Sequence, residues 1–226
     1  MIIKSYEIQK NPQAFLKYNL FLLYGENYGL KKDIIDSLKK TLNKENAKLE
    51  FQSTYENEII DGTDNFYNSV YSGSLFGDTK IIIINNGTDK ILKQIKDILE
   101  RHPKNIFLII TSGVLEKKSK LRNLFETNIK LLCIPCYLDS ERDLEIIAST
   151  ELKKNNIVLS RELVNLLIEK SNNDRNNLKN EIEKIKSFAM DKKTLAFDVV
   201  ASIINFSGEY KSDSLINECL CGNILQ

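Results

Sequence analysis

The sequence predicts an α/β fold, a doubly wound parallel sheet, followed by a small all-α helical bundle. Two observations predict it. Short, almost uninterrupted apolar runs alternate with segments of helical periodicity as far as Tyr137. Runs of that kind read as strands buried on both faces, the condition of a parallel sheet covered by helices on each side. After Leu138 the strand-like runs stop, and only helical stripes behind polar capping residues follow.

Taken in order, LFLLYG (20–25) reads as a buried strand, and Ile34, Ile35, Leu38 and Leu42 then recur at helical spacing. KLEFQST (48–54) is a second, weaker strand. Phe66, Tyr67, Val70 and Tyr71 predict a short helix behind the turn signal DGTD. KIIIINNG (80–87) is the clearest strand, four isoleucines stopped by Asn-Asn-Gly. Ile91, Leu92, Ile95, Ile98 and Leu99 form a helical stripe; IFLIITSG (106–113) is a strand, KSKLRNLFE (118–126) a helix and IKLLCIP (129–135) a strand. In the second part, Leu144, Ile147 and Leu152 mark one helix. A second opens at Ser160 and a third at Asp174, both suited to N-caps. LAFDVVASII (195–204) makes a fourth, and NFSGEYKSDS (205–214) reads as a linker. LINECLCGNIL then starts a helix just before the sequence ends; one lone helix cannot bury its apolar face, so either it packs on what precedes it or it opens a further helical domain.

The 226 residues are 42% hydrophobic, enough for one large domain or two small ones. A formal net charge of +1 argues against a protein that holds nucleic acid alone by neutralising many phosphates. No apolar run has the length of a membrane span, and MIIKSYEIQK lacks a signal-peptide pattern. Four cysteines in a chain of this size leave disulfides unneeded, and a reducing cytoplasm is expected.

The stretch YGENYGLKKD (24–33) lies between a strand and a helix, where a phosphate-binding loop belongs. A working G-x-x-x-x-G-K-[ST] loop needs glycines to open backbone N–H groups to phosphate, a lysine to neutralise it, and a hydroxyl for Mg²⁺. Counting from Gly25, the second glycine is replaced by Leu30, the lysine is kept as Lys31, and the hydroxyl position holds Lys32. The carboxylate expected after the central strand is missing too, because Asn85 and Asn86 stand there, and a neutral amide cannot act as a base. The stretch is either an ATPase scaffold that lost its chemistry in two places or an ordinary strand-to-helix turn.

In VYSGSLFGDTK (70–80), Leu75 and Phe76 are adjacent, with Gly73 and Ser74 before them and Gly77 after. Adjacent large apolar residues on a short turn do not both face one core readily. Either the pair protrudes as an anchor for a partner's apolar pocket, or it caps the sheet.

These motifs in this order resemble the delta subunit of the bacterial DNA polymerase III clamp loader. LLYGEN, SGSLFGDTKIIIINN and IFLIITSGVLEKKSKLRNLFE carry the resemblance in the first part, and LKKNNIVLSRELVNLLIEKSNNDRNNLKNEIEKI carries it in the second. The resemblance implies an AAA+-like α/β domain (1–137) bearing the clamp-binding element, a small lid-like helical domain (138–207), and a linker with the start of a C-terminal helical collar domain (208–226). It implies loss of ATP binding at Gly25, Leu30, Lys31, Lys32, Asn85 and Asn86, with no catalytic residue, metal or cofactor of its own. Leu75 and Phe76, beside Gly73 and Ser74, would wedge into a hydrophobic pocket of the ring-shaped sliding clamp (beta). Gly73 stands where some members carry a larger apolar residue, which would make a narrower wedge. Binding would favour the open ring, so that it can be placed on primed DNA. The implied partners are the ATPase and delta-prime subunits of the loader, within a DNA-directed DNA polymerase (nucleotidyltransferase) holoenzyme.

Two rival functions remain at this stage: an active P-loop-type ATPase using Lys31, and a free-standing DNA-binding module. For the latter, Lys117, Lys118, Lys120 and Arg122 form a basic cluster at a helix start that could touch phosphates, though such clusters are commonly solvated faces. Cys133-x-x-Cys136 and Cys219-x-Cys221 would have to meet to bind zinc; burial of Cys133 in a strand is the simpler expectation. His102, the only histidine, follows a helical stripe and has no nucleophile placed for it.

Overall fold

The computed structural model describes residues 2–44, 49–72, 79–101, 103, 105–189 and 200. The chain divides into two compact units, one ending at Leu138 and one beginning at Asp139.

The first unit is built on five strands, β1 Leu20–Tyr24, β2 Leu49–Tyr55, β3 Thr79–Asn85, β4 Ile106–Ser112 and β5 Leu132–Pro135. All pair in parallel, in the order β2-β3-β4-β1-β5. The helices are α1 Ser5–Lys10, α2 Tyr28–Lys44, α3 Glu56–Asp61, α4 Thr63–Tyr71, α5 Leu92–Arg101 and α6 Lys120–Thr127. Side chains alternate across a strand, so each strand feeds two cores. Leu22, Ile82, Leu108 and Ile110 point to the layer that holds Ile59, Phe66, Ile95 and Phe125 from α3–α6. Phe21, Leu23, Ile81 and Ile109 point to the layer that holds Ile8 from α1 and Ile34 and Leu38 from α2. This two-sided demand is why β1 is apolar and buried at every position.

The second unit contains α7 Glu141–Lys154, α8 Arg161–Lys170 and α9 Arg175–Ala189, packed through Leu144, Leu152, Leu167, Leu178, Ile182 and Ile185. Ser140 and Ser160 cap α7 and α8 by accepting from the backbone N–H three residues on, and Asp174 does the same for α9 through Asn177 at 2.9 Å. Arg175 is buried against the Asp139 carboxylate.

The α/β sheet and the helices that follow it agree with the fold class read from the sequence. Several details differ. α2 begins at Tyr28, six residues before the apolar stripe opens at Ile34, because Asn27 supplies its cap. β5 begins only at Leu132, because Asn128 closes a turn on Lys130 and Leu131. α1 and α3 had no counterpart in the pattern. The expected helix at 195–204 (apart from Val200), the linker and the final helical start lie outside the described residues.

Candidate functional site

In a parallel sheet the crevice beyond the carboxyl ends of the strands is where ligands collect. Here that corner is formed by the turns after β1, β3, β4 and β5. Gly25 leaves β1 with φ 126°, a left-handed conformation that glycine tolerates. Its N–H donates to the Gly113 carbonyl at 2.9 Å. A Cβ on Gly25 would lie 2.2 Å from the Cys136 carbonyl oxygen, so only glycine fits between the two turns. Asn27 fastens the turn to the chain after β5: its N–H donates to Cys136 at 3.0 Å and its Nδ2 to Tyr137 at 3.0 Å. Its Oδ1 accepts from the Leu30 N–H at 2.8 Å and so caps α2.

Lys31, on the first turn of α2, is only 3% exposed. Its Nζ donates to the Gly25 carbonyl at 2.7 Å and to the Ser112 carbonyl at 2.6 Å, and lies 4.5 Å from the Tyr28 ring centroid. Burial pulls its pKa below that of an ordinary lysine. Its ammonium is engaged with the protein's own backbone. Leu30 is buried in the α1–α2 core, and Lys32 is exposed. The three positions thus go to core, strut and solvent.

At the end of β3, Asn85 donates from Nδ2 to Ser53 Oγ at 2.8 Å and accepts at Oδ1 from Thr111 Oγ1 at 3.3 Å. Asn86 takes φ 58°, the left-handed conformation that asparagine tolerates better than most residues. The two amides therefore shape the turn. Sequence reasoning missed two carboxylates nearby. Glu56, buried, accepts from Thr88 N–H at 2.6 Å and Thr88 Oγ1 at 2.7 Å. Asp89 accepts from Ser119 Oγ at 2.6 Å and from the N–H groups of Leu121 and Lys120 at 2.8 and 2.9 Å. The one sequence signal for either is position, an acid beside a strand end.

In the basic cluster Lys117, Lys118 and Lys120 are exposed, with Lys118 2.8 Å from Glu116. Arg122 is turned inward: it donates to Glu126 at 2.7 Å and to the Leu115 carbonyl at 2.8 Å, and stacks 4.7 Å from the Tyr24 ring centroid. Cys133 and Cys136 are buried free thiols, and burial pushes Cys133 up to about 12, far from a reactive thiolate. Among the described residues no group of three or more His, Cys, Asp or Glu side chains could hold a metal ion. Nor is any helix there long and apolar enough to cross a membrane.

Gly73, Ser74, Leu75 and Phe76 lie outside the described residues, as do His102, Cys219 and Cys221. The flanks of 73–78 are α4, ending at Tyr71, and β3, starting at Thr79, at the amino edge of the sheet, opposite the Lys31 corner. Lys80, 5% exposed, donates from Nζ to the Ser69 carbonyl at 2.9 Å and lies 3.4 Å from Glu50. Tyr67 donates to Asp97 at 2.5 Å and stacks on Tyr71 with ring centroids 6.1 Å apart. These contacts tie α4 to β3, β2 and α5.

Sheet order and corner together define an AAA+-like α/β protein whose loop lysine is held by its own backbone. A family model described as DNA polymerase III, delta subunit matches residues 21–136, about half of the chain, and the chain belongs to that family. A curated relative from Rickettsia prowazekii (strain Madrid E), named "Probable DNA polymerase III subunit delta", is 28% identical over 189 residues, covering 84% of this chain and 56% of its own length. Among solved structures, the Bacillus subtilis DNA clamp loader delta protein (YqeN) matches with a TM-score of 0.63 at 15% identity, over 95% of this chain and 66% of its own. A Thermotoga maritima RuvB, titled as a Holliday junction branch migration motor, matches with a TM-score of 0.53 at 12% identity, over 88% of this chain and 65% of its own. At those identities the structures speak for the fold. The chain spans a little over half of the curated relative and about two thirds of the structural ones.

Proposed function

We propose that this chain acts as a clamp-loader delta subunit that binds the sliding clamp and favours its open state without hydrolysing ATP. The observation that carries the reading is Lys31. In a member of the delta-subunit family, the one loop residue kept for phosphate chemistry spends its ammonium on the carbonyls of Gly25 and Ser112. A phosphate would have to displace both. Asn85 and Asn86 add no carboxylate for Mg²⁺, so the scaffold serves binding. Leu75 and Phe76, with Gly73 and Ser74, form the wedge for an apolar pocket on the clamp. A ligand shifts an open–closed equilibrium only by its differential affinity, so the domain around the wedge must fit the open interface better. Energy for cycling comes from ATP on partner subunits, and primed DNA is met within that assembly, with Lys117, Lys118 and Lys120 as the exposed cations of the basic cluster.

The test is binding of this chain to its organism's sliding clamp, alongside Leu75→Ala/Phe76→Ala. Burying two such side chains stabilises by about 3–6 kcal/mol before costs, so the double change should weaken binding by about 100-fold or more. Unchanged affinity in the double variant would move the wedge elsewhere. No binding by the unmodified chain would remove the clamp-opening role.

A further inference from the structure

We propose that a groove at the amino edge of the sheet, between Lys17 and Lys130, is a second docking point for the sliding clamp, taking an acidic segment that carries an apolar side chain. The proposal rests on the clamp-binding reading above. The groove, of about 530 Å³, is walled by the residues before β1, the last turn of α5 and the turn before β5. Its lining includes two exposed lysines, of which Lys17 lies 5.4 Å from the Tyr18 ring centroid. No acidic side chain lines it, and neither lysine is ion-paired among the described residues. Leu20 and Leu99 line it as well, beside Tyr18 and Asn19, and Ile129 is 81% exposed. Ile129 is held outward by the turn that Asn128 closes, which sends Leu131 and Leu132 into the core instead.

Chemistry selects the occupant. Two cations without a carboxylate partner among the described residues, set beside apolar side chains, are satisfied together by a carboxylate-bearing peptide with one apolar side chain. A phosphate backbone would use the lysines and leave Ile129 and Leu99 wet. Place selects the source. All five strands are parallel, so the groove lies on the same edge as the start of β3, where segment 73–78 re-enters the sheet. β1 and β5 are two and three strands from β3, about 10 and 14 Å at the usual strand spacing. A partner seated beside the start of β3 reaches that far within a standard interface.

The full chain is titrated against the clamp by calorimetry as wild type, Lys17→Glu/Lys130→Glu and Ile129→Ser. All three substituted residues are exposed, and melting temperature reports whether the fold is kept. Each variant should bind roughly tenfold more weakly, as expected when a contact within an interface is lost. The loss in the charge-reversed variant should shrink as salt is raised, whereas the loss in Ile129→Ser should not, because screening acts on charge alone. Wild-type affinity in both variants overturns the groove and leaves the clamp reading intact. No binding by the wild type overturns both. If the charge reversal instead weakens binding of primed DNA and spares the clamp, the groove is a phosphate site and the proposal is wrong.

Discussion

At Gly25 and Lys31 two single residues decide what the corner can hold. The missing Cβ lets the turn after β1 lie against the Cys136 carbonyl, and the ammonium then closes the space between that turn and the end of β4. Spacing from Gly25 made Lys31 visible in the sequence, yet its role was hidden because Ser112 is 81 residues away and becomes a neighbour only through the β1–β4 pairing. Asp89 is the residue-scale feature with a pH signature. Loss of some hydration around it favours protonation, but the Ser119 hydroxyl and the N–H groups of Leu121 and Lys120 outweigh that and hold the carboxyl below the usual range. A depressed folded-state pKa adds stability above the unfolded value of about 4 and loses it as pH falls through the folded value. Asp89→Asn should therefore cost about 1 kcal/mol or less at neutral pH, since the group is exposed and screened. The deficit should fade in acid. Denaturant melts of both proteins at neutral pH and near pH 3 check it; a deficit equal at both would assign the effect to shape instead of charge.

The legible elements were those whose burial is written as composition. β1, β3 and β4 are nearly pure apolar runs, and α2 and α5 carry unbroken stripes. α3 is six residues with three acids and one large buried apolar side chain, Ile59, and its N-cap is Tyr55, so neither stripe nor cap signal announced it. Its start is held by Glu58, which accepts from the Tyr55 N–H at 3.0 Å. Lys80 was hidden differently. In TKIIII it reads as the solvent end of a strand, but β2 and α4 close over it. A buried ammonium is tolerated only with partners, and Lys80 has the Ser69 carbonyl and Glu50. Lys80→Met keeps the stem and removes the charge, leaving Glu50 without that cation. The expected loss is about 1–3 kcal/mol, read as a lower midpoint in urea with an unchanged slope. An unchanged midpoint would mean that the contacts between α4, β3 and β2 contribute nothing net.

At the scale of the whole molecule, the two units have separate cores, and the α/β unit fills its own ligand corner. That arrangement makes a thermodynamic demand. A ligand that binds the native state alone stabilises it by about 2.7 kcal/mol at one hundred times its Kd. For a chain of 150–250 residues each kcal/mol raises Tm by about 2–4 °C, so a working nucleotide site would lift melting by several degrees in excess Mg·ATP. With the Lys31 ammonium on Gly25 and Ser112, binding would first have to break two buried charge-assisted hydrogen bonds, each worth about 1.5–3 kcal/mol. Melting should accordingly be the same with and without Mg·ATP. Lys31→Met should lower Tm by leaving both carbonyls without their donor, and should not create a nucleotide response. A rise in Tm with Mg·ATP in the wild type, lost in Lys31→Met, would show that the lysine releases its carbonyls for phosphate. The chain would then be an ATP-binding member of its fold.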